Sequence, residues 1–275
     1  MALSWLECLI YGIVSGFAEF LPVSSLAHQA IFLKLLGKAN DPLLQCCAYV
    51  GALAAVLIIC LPTLRRLRRE RRIASVPKKR RRRQPDGATL AQARVLRMAV
   101  LSMLILLLGY GLVSRLHQRL WILALFTALN GVALYVPQYL PGANKTAQSL
   151  SALDAMLIGL SAGCGFIPGV SRVGAAVSVG LVRGTDRRYS LELALLLSIP
   201  ALAVLSVLTG LAAIPGAAAL SGGLVLRCLT VMLSSFGAAY IGIFLARFLA
   251  VRAGFGGLAY YCWGLALFTL IIYLI

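Results

Sequence analysis

Apolar residues fill long stretches of this chain with little polar interruption. Six stretches are long enough, or nearly so, to cross a hydrocarbon layer about 30 Å thick: about 48–63, 95–115, 119–137, 190–214, 222–247 and 256–275. The first is short, so its helix is expected to begin a few residues earlier. Two further apolar regions, about 5–36 and 152–182, are broken midway by Pro, Gly and Ser. The breaks read Phe20-Leu21-Pro22-Val23-Ser24-Ser25 and Phe166-Ile167-Pro168-Gly169-Val170-Ser171-Arg172. Proline removes a backbone donor and disfavours helix at the preceding residue. Lipid cannot satisfy the freed carbonyls, so such a break survives at membrane depth only inside protein or beside a wet cavity. Both regions therefore read as helical hairpins that enter and leave on one side, in preference to kinked spanning helices.

The two breaks resemble each other, and each is followed by three spanning candidates. The expected fold is all-α: a polytopic membrane protein of two inverted repeats, each with a re-entrant helical hairpin plus three transmembrane helices. A single membrane domain covers 1–275, with repeat 1 at about 1–140 and repeat 2 at about 150–275. Three spans per half is an odd number, so the second half runs upside down, as in many transporters.

Composition agrees with this pattern. Hydrophobic residues make up 61% of the chain and charged residues 12%. Soluble domains carry about 25% charged residues, so a water-soluble enzyme, a disordered chain and a secreted disulfide scaffold are excluded. The net charge of +18 raises the question of nucleic acid. Twelve of the 26 basic residues, however, fall between Leu64 and Gln84, with no recognition fold beside them. The 64–94 segment instead reads as a basic cytoplasmic loop that sets topology and touches anionic lipid headgroups. Both termini and the mouth of the first hairpin then lie outside, and Arg183, Arg187, Arg188, Arg247 and Arg252 lie inside. Lys34, Lys38, Arg115 and Arg119 fall on the outer side, against the rule. The seven cysteines show no CxxC or Cys/His spacing and read as small hydrophobes in helices. The N-terminal apolar run lacks the basic start and small-residue cleavage site of a removable signal peptide.

Ionisable residues inside apolar sequence are costly and mark candidate sites. Here they are Glu7, Glu19, His28, Asp154, Arg172 and Glu192, with Arg227 near a span end. Glu7 and Asp154 each follow a Ser by three positions and read as helix-start charges, and Glu192 reads as a cap of the helix opening near Ser190. If the hairpin tips meet, Glu19, Ser24, Ser25 and His28 converge with Ser171 and Arg172. Arg offers a planar fork of donors suited to phosphate. Helix N-termini after each proline add oriented N–H groups. Ser25 and His28 stand at i and i+3, on one face of a helix starting near Ser24, the minimum for an activated nucleophile. Glu19 can orient the His, act as base or hold a divalent cation; it can also be a purely structural partner of Arg172, as Ser24 can be simply an N-cap.

Glu19-Phe20-Leu21-Pro22-Val23-Ser24-Ser25 with His28, and Pro168-Gly169-Val170-Ser171-Arg172 with Gly174-Ala175, resemble the BacA-type undecaprenyl-diphosphate phosphatase family. The resemblance extends in order to Gly51, Leu191-Glu192 with Pro200, and Tyr261. It implies a membrane hydrolase that converts undecaprenyl diphosphate to undecaprenyl phosphate and phosphate, recycling the lipid carrier of cell-wall peptidoglycan synthesis and conferring bacitracin resistance. It further implies the bacterial plasma membrane, an outward-facing site and a divalent cation, Mg²⁺ or Ca²⁺. Carried over by position, Ser25 is the nucleophile, His28 and Glu19 the acid/base or metal-associated pair, and Arg172 the phosphate clamp. Ser24, Ser171, Gly169 and Gly174 are the substrate-binding neighbours, and Glu19 the metal residue. The partners implied are a polyprenyl diphosphate lipid and the membrane, with a second copy of the chain as a candidate and no nucleic acid.

The chain departs from the family pattern in places. Ser15 stands where the family has a second acid, Val173 and Ala176 replace hydroxyl residues, and Leu26-Ala27 precede His28 where Ser-Gly or Thr-Gly is usual. Tyr49 stands in place of a Gln or His, and Cys262 in place of an Arg. Losing an acid removes a ligand that hard cations favour. These departures leave a non-catalytic polyprenyl-phosphate carrier or flippase of the same fold as the alternative.

Overall fold

The computed structural model describes residues 3–107, 119–140, 144–214 and 222–274. The chain enters helix α1 (Trp5–Phe20) through a capping box, in which the Ser4 hydroxyl accepts from Glu7 N and the Glu7 carboxylate accepts from Ser4 N. The same box, Ser151 with Asp154, opens α6 (Ala152–Gly163). Both acids are thus helix-start charges, as expected.

Helix α1 ends at Leu21-Pro22, and α2 (Ser25–Leu35) returns from the break. Sixteen and 11 residues span about 24 and 16 Å, too little to cross a bilayer. The two helices lie side by side. Tyr11 Oη donates to Gln29 Oε1 at 3.2 Å, and Leu3 and Cys8 pack in one cluster with Leu33. The start of α1 and the finish of α2 therefore sit at the same end of the molecule. The second broken region does likewise: α6 leads through Pro168-Gly169 into α7 (Arg172–Val182), and Arg183 Nε at the far end of α7 donates to Asp154 Oδ1 at 2.5 Å. Both broken regions are hairpins.

Six long apolar helices surround them: α3 (Pro42–Ser75), α4 (Gly87–Leu107), α5 (Leu120–Tyr135), α8 (Arg187–Ala213), α9 (Gly222–Arg252) and α10 (Gly257–Leu274). Asp41 caps α3 and Pro42 opens it, so this span does begin before residue 48. The expected 95–115 span starts earlier, at Gly87, and its part beyond residue 107 lies outside the described residues. No strands occur among the described residues apart from one isolated bridge, Lys145 to Thr185. Large side chains such as Ile58, Leu101, Ile105, Leu129, Leu233, Phe244 and Ile271 are exposed along these helices, as lipid contact requires. The protein is a multi-pass membrane protein.

The basic run forms helix where a loop is expected. Helix α3 continues through Arg65–Arg72 to Ser75, so the connection shrinks to residues 76–86. Arginine propagates a helix nearly as well as alanine, and 34 residues make about 51 Å, well beyond the hydrocarbon thickness. Buried Glu70 pins the connection back on the helix. It accepts from Arg83 at 2.5 Å, from Arg69 at 3.3 Å and from the Asp86 backbone at 3.0 Å. Glu192 also differs from expectation, because Asp186 caps α8. The Glu192 carboxylate instead accepts from Thr63 at 3.5 Å and Gln92 at 3.3 Å, joining α3, α4 and α8 at this basic end.

Backbone approach between small residues sets the packing. Helix α1 lies on α9 through Gly12 and Gly16, and α6 lies on α4 through Gly159 and Gly163. A Cβ on Gly16 would stand 2.1 Å from Ser235 O, and one on Gly159 would stand 2.0 Å from Ala99 O. Each pair is a small-xxx-small stripe, the standard means of close helix contact in lipid. Gly16→Leu is expected to lower stability by about 1–3 kcal/mol or more through overpacking against backbone. Gly237→Ala, where a Cβ meets nothing within 4 Å, should be neutral. Thermal unfolding of both variants in detergent checks this.

Candidate active site

The hairpin tips meet. Ser171 Oγ donates to Leu21 O at 3.2 Å, and a Cβ on Gly174 would touch Pro22 Cβ at 3.1 Å. Between the tips stands Asn130 of α5, 3% exposed. Its Nδ2 donates to Pro22 O at 2.9 Å, and its Oδ1 accepts from Ser171 N at 2.9 Å. One amide thus satisfies the carbonyl freed by the first break and the backbone donor at the second. The same Nδ2 contacts Cys262 Sγ at 3.4 Å, which ties in α10.

The charged groups of the tips form one cluster. Glu19 is the next-to-last residue of α1, and Arg172 is the first residue of α7. Side chains lean toward a helix N-terminus, so Arg172 reaches back over the tip. Its NH1 lies 2.7 Å from Glu19 Oε1, with both side chains about 5–6% exposed. An acid at a helix C-terminus and a cation at an N-terminus are each unfavourably placed against the helix dipole; here each neutralises the other. Ser25 Oγ donates to the second carboxylate oxygen, Glu19 Oε2. Hydroxyl, carboxylate and guanidinium therefore form a continuous buried chain.

Ser24 caps α2, its Oγ accepting from Ala27 N at 3.4 Å, and Ser171 caps α7, its Oγ accepting from Gly174 N at 3.1 Å. Two helix N-termini thus start beside the Glu19–Arg172 pair, and each is a favourable place for an anion. Ser24 has φ +66°, the one positive value at a non-glycine residue among the described residues. Such a conformation costs about 1–3 kcal/mol and gathers at functional sites. Gly169 (φ +93°) makes the turn before Ser171 and lies against the α5 backbone, with Leu123 O 2.7 Å from a would-be Cβ.

His28 is placed differently from its sequence reading. Its Nδ1 is 2.7 Å from Ser24 O and its Nε2 2.6 Å from Tyr261 Oη. A carbonyl can only accept, so Nδ1 carries the proton, and in the neutral ring Nε2 accepts from Tyr261. The two rings stack at 5.7 Å with 5° between planes. The group on the Ser25 hydroxyl is Glu19, arriving from α1, and His28 borders the cluster as a hydrogen-bonded neighbour of the Ser24 backbone. Ser15, at the position where the resemblance places a second acid, turns its hydroxyl to Tyr11 O at 2.6 Å.

For a divalent cation the chain offers little. No group of three or more His, Cys, Asp or Glu residues gathers among the described residues. Glu19 is the one carboxylate at the tips, and both its oxygens are engaged. Hard cations take six or more oxygen ligands, so these residues alone do not build a cation cage.

Sequence reading missed Asn130 by weighing ionisable residues alone. The signal was there: a primary amide within the otherwise apolar run Leu120–Tyr135.

Fold and site together define a class: a multi-pass helical membrane protein whose buried hydroxyl, carboxylate and guanidinium groups are brought together by two helix breaks far apart in sequence. The chain belongs to the BacA family, described as bacitracin resistance protein BacA, whose family model matches residues 8–268. It is 32% identical over 203 residues to an undecaprenyl-diphosphatase of Nocardioides sp., covering 72% of this chain and 71% of that one. It is 27% identical over 274 residues to an undecaprenyl-diphosphatase of Halothermothrix orenii, covering 97% of each. A Treponema denticola protein of the same name is 30% identical over 268 residues, covering 94% of this chain and 93% of its own.

Proposed function

We propose that this protein hydrolyses undecaprenyl diphosphate to undecaprenyl phosphate and inorganic phosphate in a bacterial plasma membrane, with the site opening away from the basic end toward the outside. The observation that carries the reading is the Ser25–Glu19–Arg172 chain between two helix N-termini. The named activity of the relatives supports it. The packing of each hairpin's first helix on the second spanning helix of the other half supports two inverted repeats. The basic extension of α3 supports contact with anionic headgroups on the cytoplasmic side.

In this reading the diphosphate enters at the two N-termini and Arg172 pairs with its terminal phosphate. Ser25 Oγ attacks the terminal phosphorus while its proton passes to Glu19. The bridging P–O bond breaks and the lipid monophosphate leaves. Water then attacks the phosphoserine phosphorus, Ser25 recovers a proton, and inorganic phosphate departs, so one water is consumed overall. The lipid tail stays between helices in the bilayer. Ser171 and Gly174 keep the tips in register, Gly169 makes the second turn, and His28 ties the Ser24 backbone to Tyr261. A divalent cation would arrive with the diphosphate as its own counter-ion.

The test is phosphate release by purified protein given undecaprenyl diphosphate with Mg²⁺ or Ca²⁺. Steady release supports the reading. No release, together with transbilayer movement of the lipid phosphate, would give the carrier reading instead. Asn130→Ala should lose on the order of 10²-fold in rate through misplacement of the tips. It should also lose about 1–3 kcal/mol of stability from two unsatisfied backbone groups. Rate and melting curves on one preparation check both.

A further inference from the structure

A cavity of about 930 Å³ lies beside the site, at the end opposite the basic extension of α3. Helix α2 forms one wall: Leu26 follows Ser25, and Gln29 stands one turn on. The start of α3 and the ends of α5, α8 and α10 form the rest, through Gln45, Trp121, Thr209 and Ile272. Lys34 and Lys38 come to it from the end of α2 and the turn that follows, Arg119 from the start of α5, and none of its described lining residues is acidic. By the topology above these cations lie on the side where the positive-inside rule disfavours them; Lys38 has Glu7 within electrostatic range, and Lys34 and Arg119 need another explanation. Gln29 supplies a second, independent sign. It is 3% exposed, its Oε1 is taken by Tyr11, and its Nε2 has no hydrogen-bond partner. A buried amide donor left unpaired is costly, and an acceptor-rich ligand relieves it.

We propose that this cavity is a second binding site, for a phosphate group, held by Lys34, Lys38 and Arg119 with Gln29 at its wall. Apolar walls beside a cationic mouth suit an amphipathic phosphate monoester, and the cations alone suit free phosphate. Both sources share one chemistry, an anion with several acceptor oxygens. Under the proposed function each is a product of the neighbouring centre, so the cavity receives what that centre releases. The inference rests on that reading for the identity of the phosphate, and on the cavity alone for its binding.

The test is calorimetric titration of the full-length protein in zwitterionic nanodiscs with two probes, inorganic phosphate and dimethylallyl monophosphate, against empty nanodiscs. Wild type should show saturable binding that Lys34→Gln/Arg119→Gln weakens about tenfold or more. Both residues are exposed, so the double variant should keep its melting temperature, and Lys34→Arg/Arg119→Lys should keep binding. Weakening with the monoester alone assigns a lipid headgroup; weakening with both probes assigns the phosphate group whatever its source. Titrations that are the same in wild type and the double variant overturn the proposal. Binding is read without turnover, so a wild-type protein that binds here yet releases no phosphate from undecaprenyl diphosphate would overturn the proposed function and leave this site standing.

Discussion

Arg172→Gln is expected to be the most damaging single change in the protein. It strands the Glu19 carboxylate in a place where water does not reach, since that side chain is only 5% exposed. Removing one partner of a buried ion pair costs about 3–5 kcal/mol, chiefly because the remaining charge is uncompensated. It also removes the one cation at the tips, so phosphate release should fall to the level of a blank. Glu19→Gln alone should be comparably destabilising. The double variant should recover part of the loss, because two amides leave no stranded charge. Melting temperatures of the four proteins in one detergent form a cycle that checks this. Strictly additive losses would mean that the pair is not coupled.

Ser25→Ala should separate chemistry from folding. The Glu19–Arg172 bond survives in this variant, so the tips stay joined and stability falls by no more than about 1.5–3 kcal/mol, the worth of one hydrogen bond to a charged group. Activity should fall by about a thousandfold or more if Ser25 is the nucleophile, because attack on phosphorus then has no starting atom. A residual rate within tenfold of wild type would show instead that Glu19 activates water directly, with Ser25 only orienting it. His28→Asn is the informative companion: its amide stands where Nδ1 does and can still donate to Ser24 O, so it should lose far less than Ser25→Ala.

The sequence made much of this legible for physical reasons. Apolar runs identify spans because lipid punishes polar atoms, and a proline in such a run identifies a break because lipid punishes bare carbonyls. That logic placed Pro22 and Pro168 in hairpin tips and singled out Glu19, Ser25 and Arg172, which the fold brings together. It was weaker where water takes over. The arginines after Leu64 looked like a loop because they are charged, yet solvated arginines extend a helix readily. Spacing along one helix paired Ser25 with His28, but the group on the Ser25 hydroxyl comes from the neighbouring helix, which i,i+3 periodicity does not reveal. Asn130 escaped because a neutral amide raises no electrostatic alarm, although it makes as many tip contacts as any charged residue.

The glycine stripes bear on how the molecule is made. Gly12 and Gly16 sit near the start of the chain, and the backbone they press against, at Val231 and Ser235, emerges from the ribosome more than 200 residues later. Until then the first hairpin has α3 and the Asn130 contact but lacks its closest partner, while the second finds α4 already in place. Assembly is therefore ordered, with the later hairpin docked first and the earlier one last. A nascent chain halted before α9 should accordingly contain spans but no reactive centre, and protease accessibility of the first hairpin should disappear only when α9 is complete.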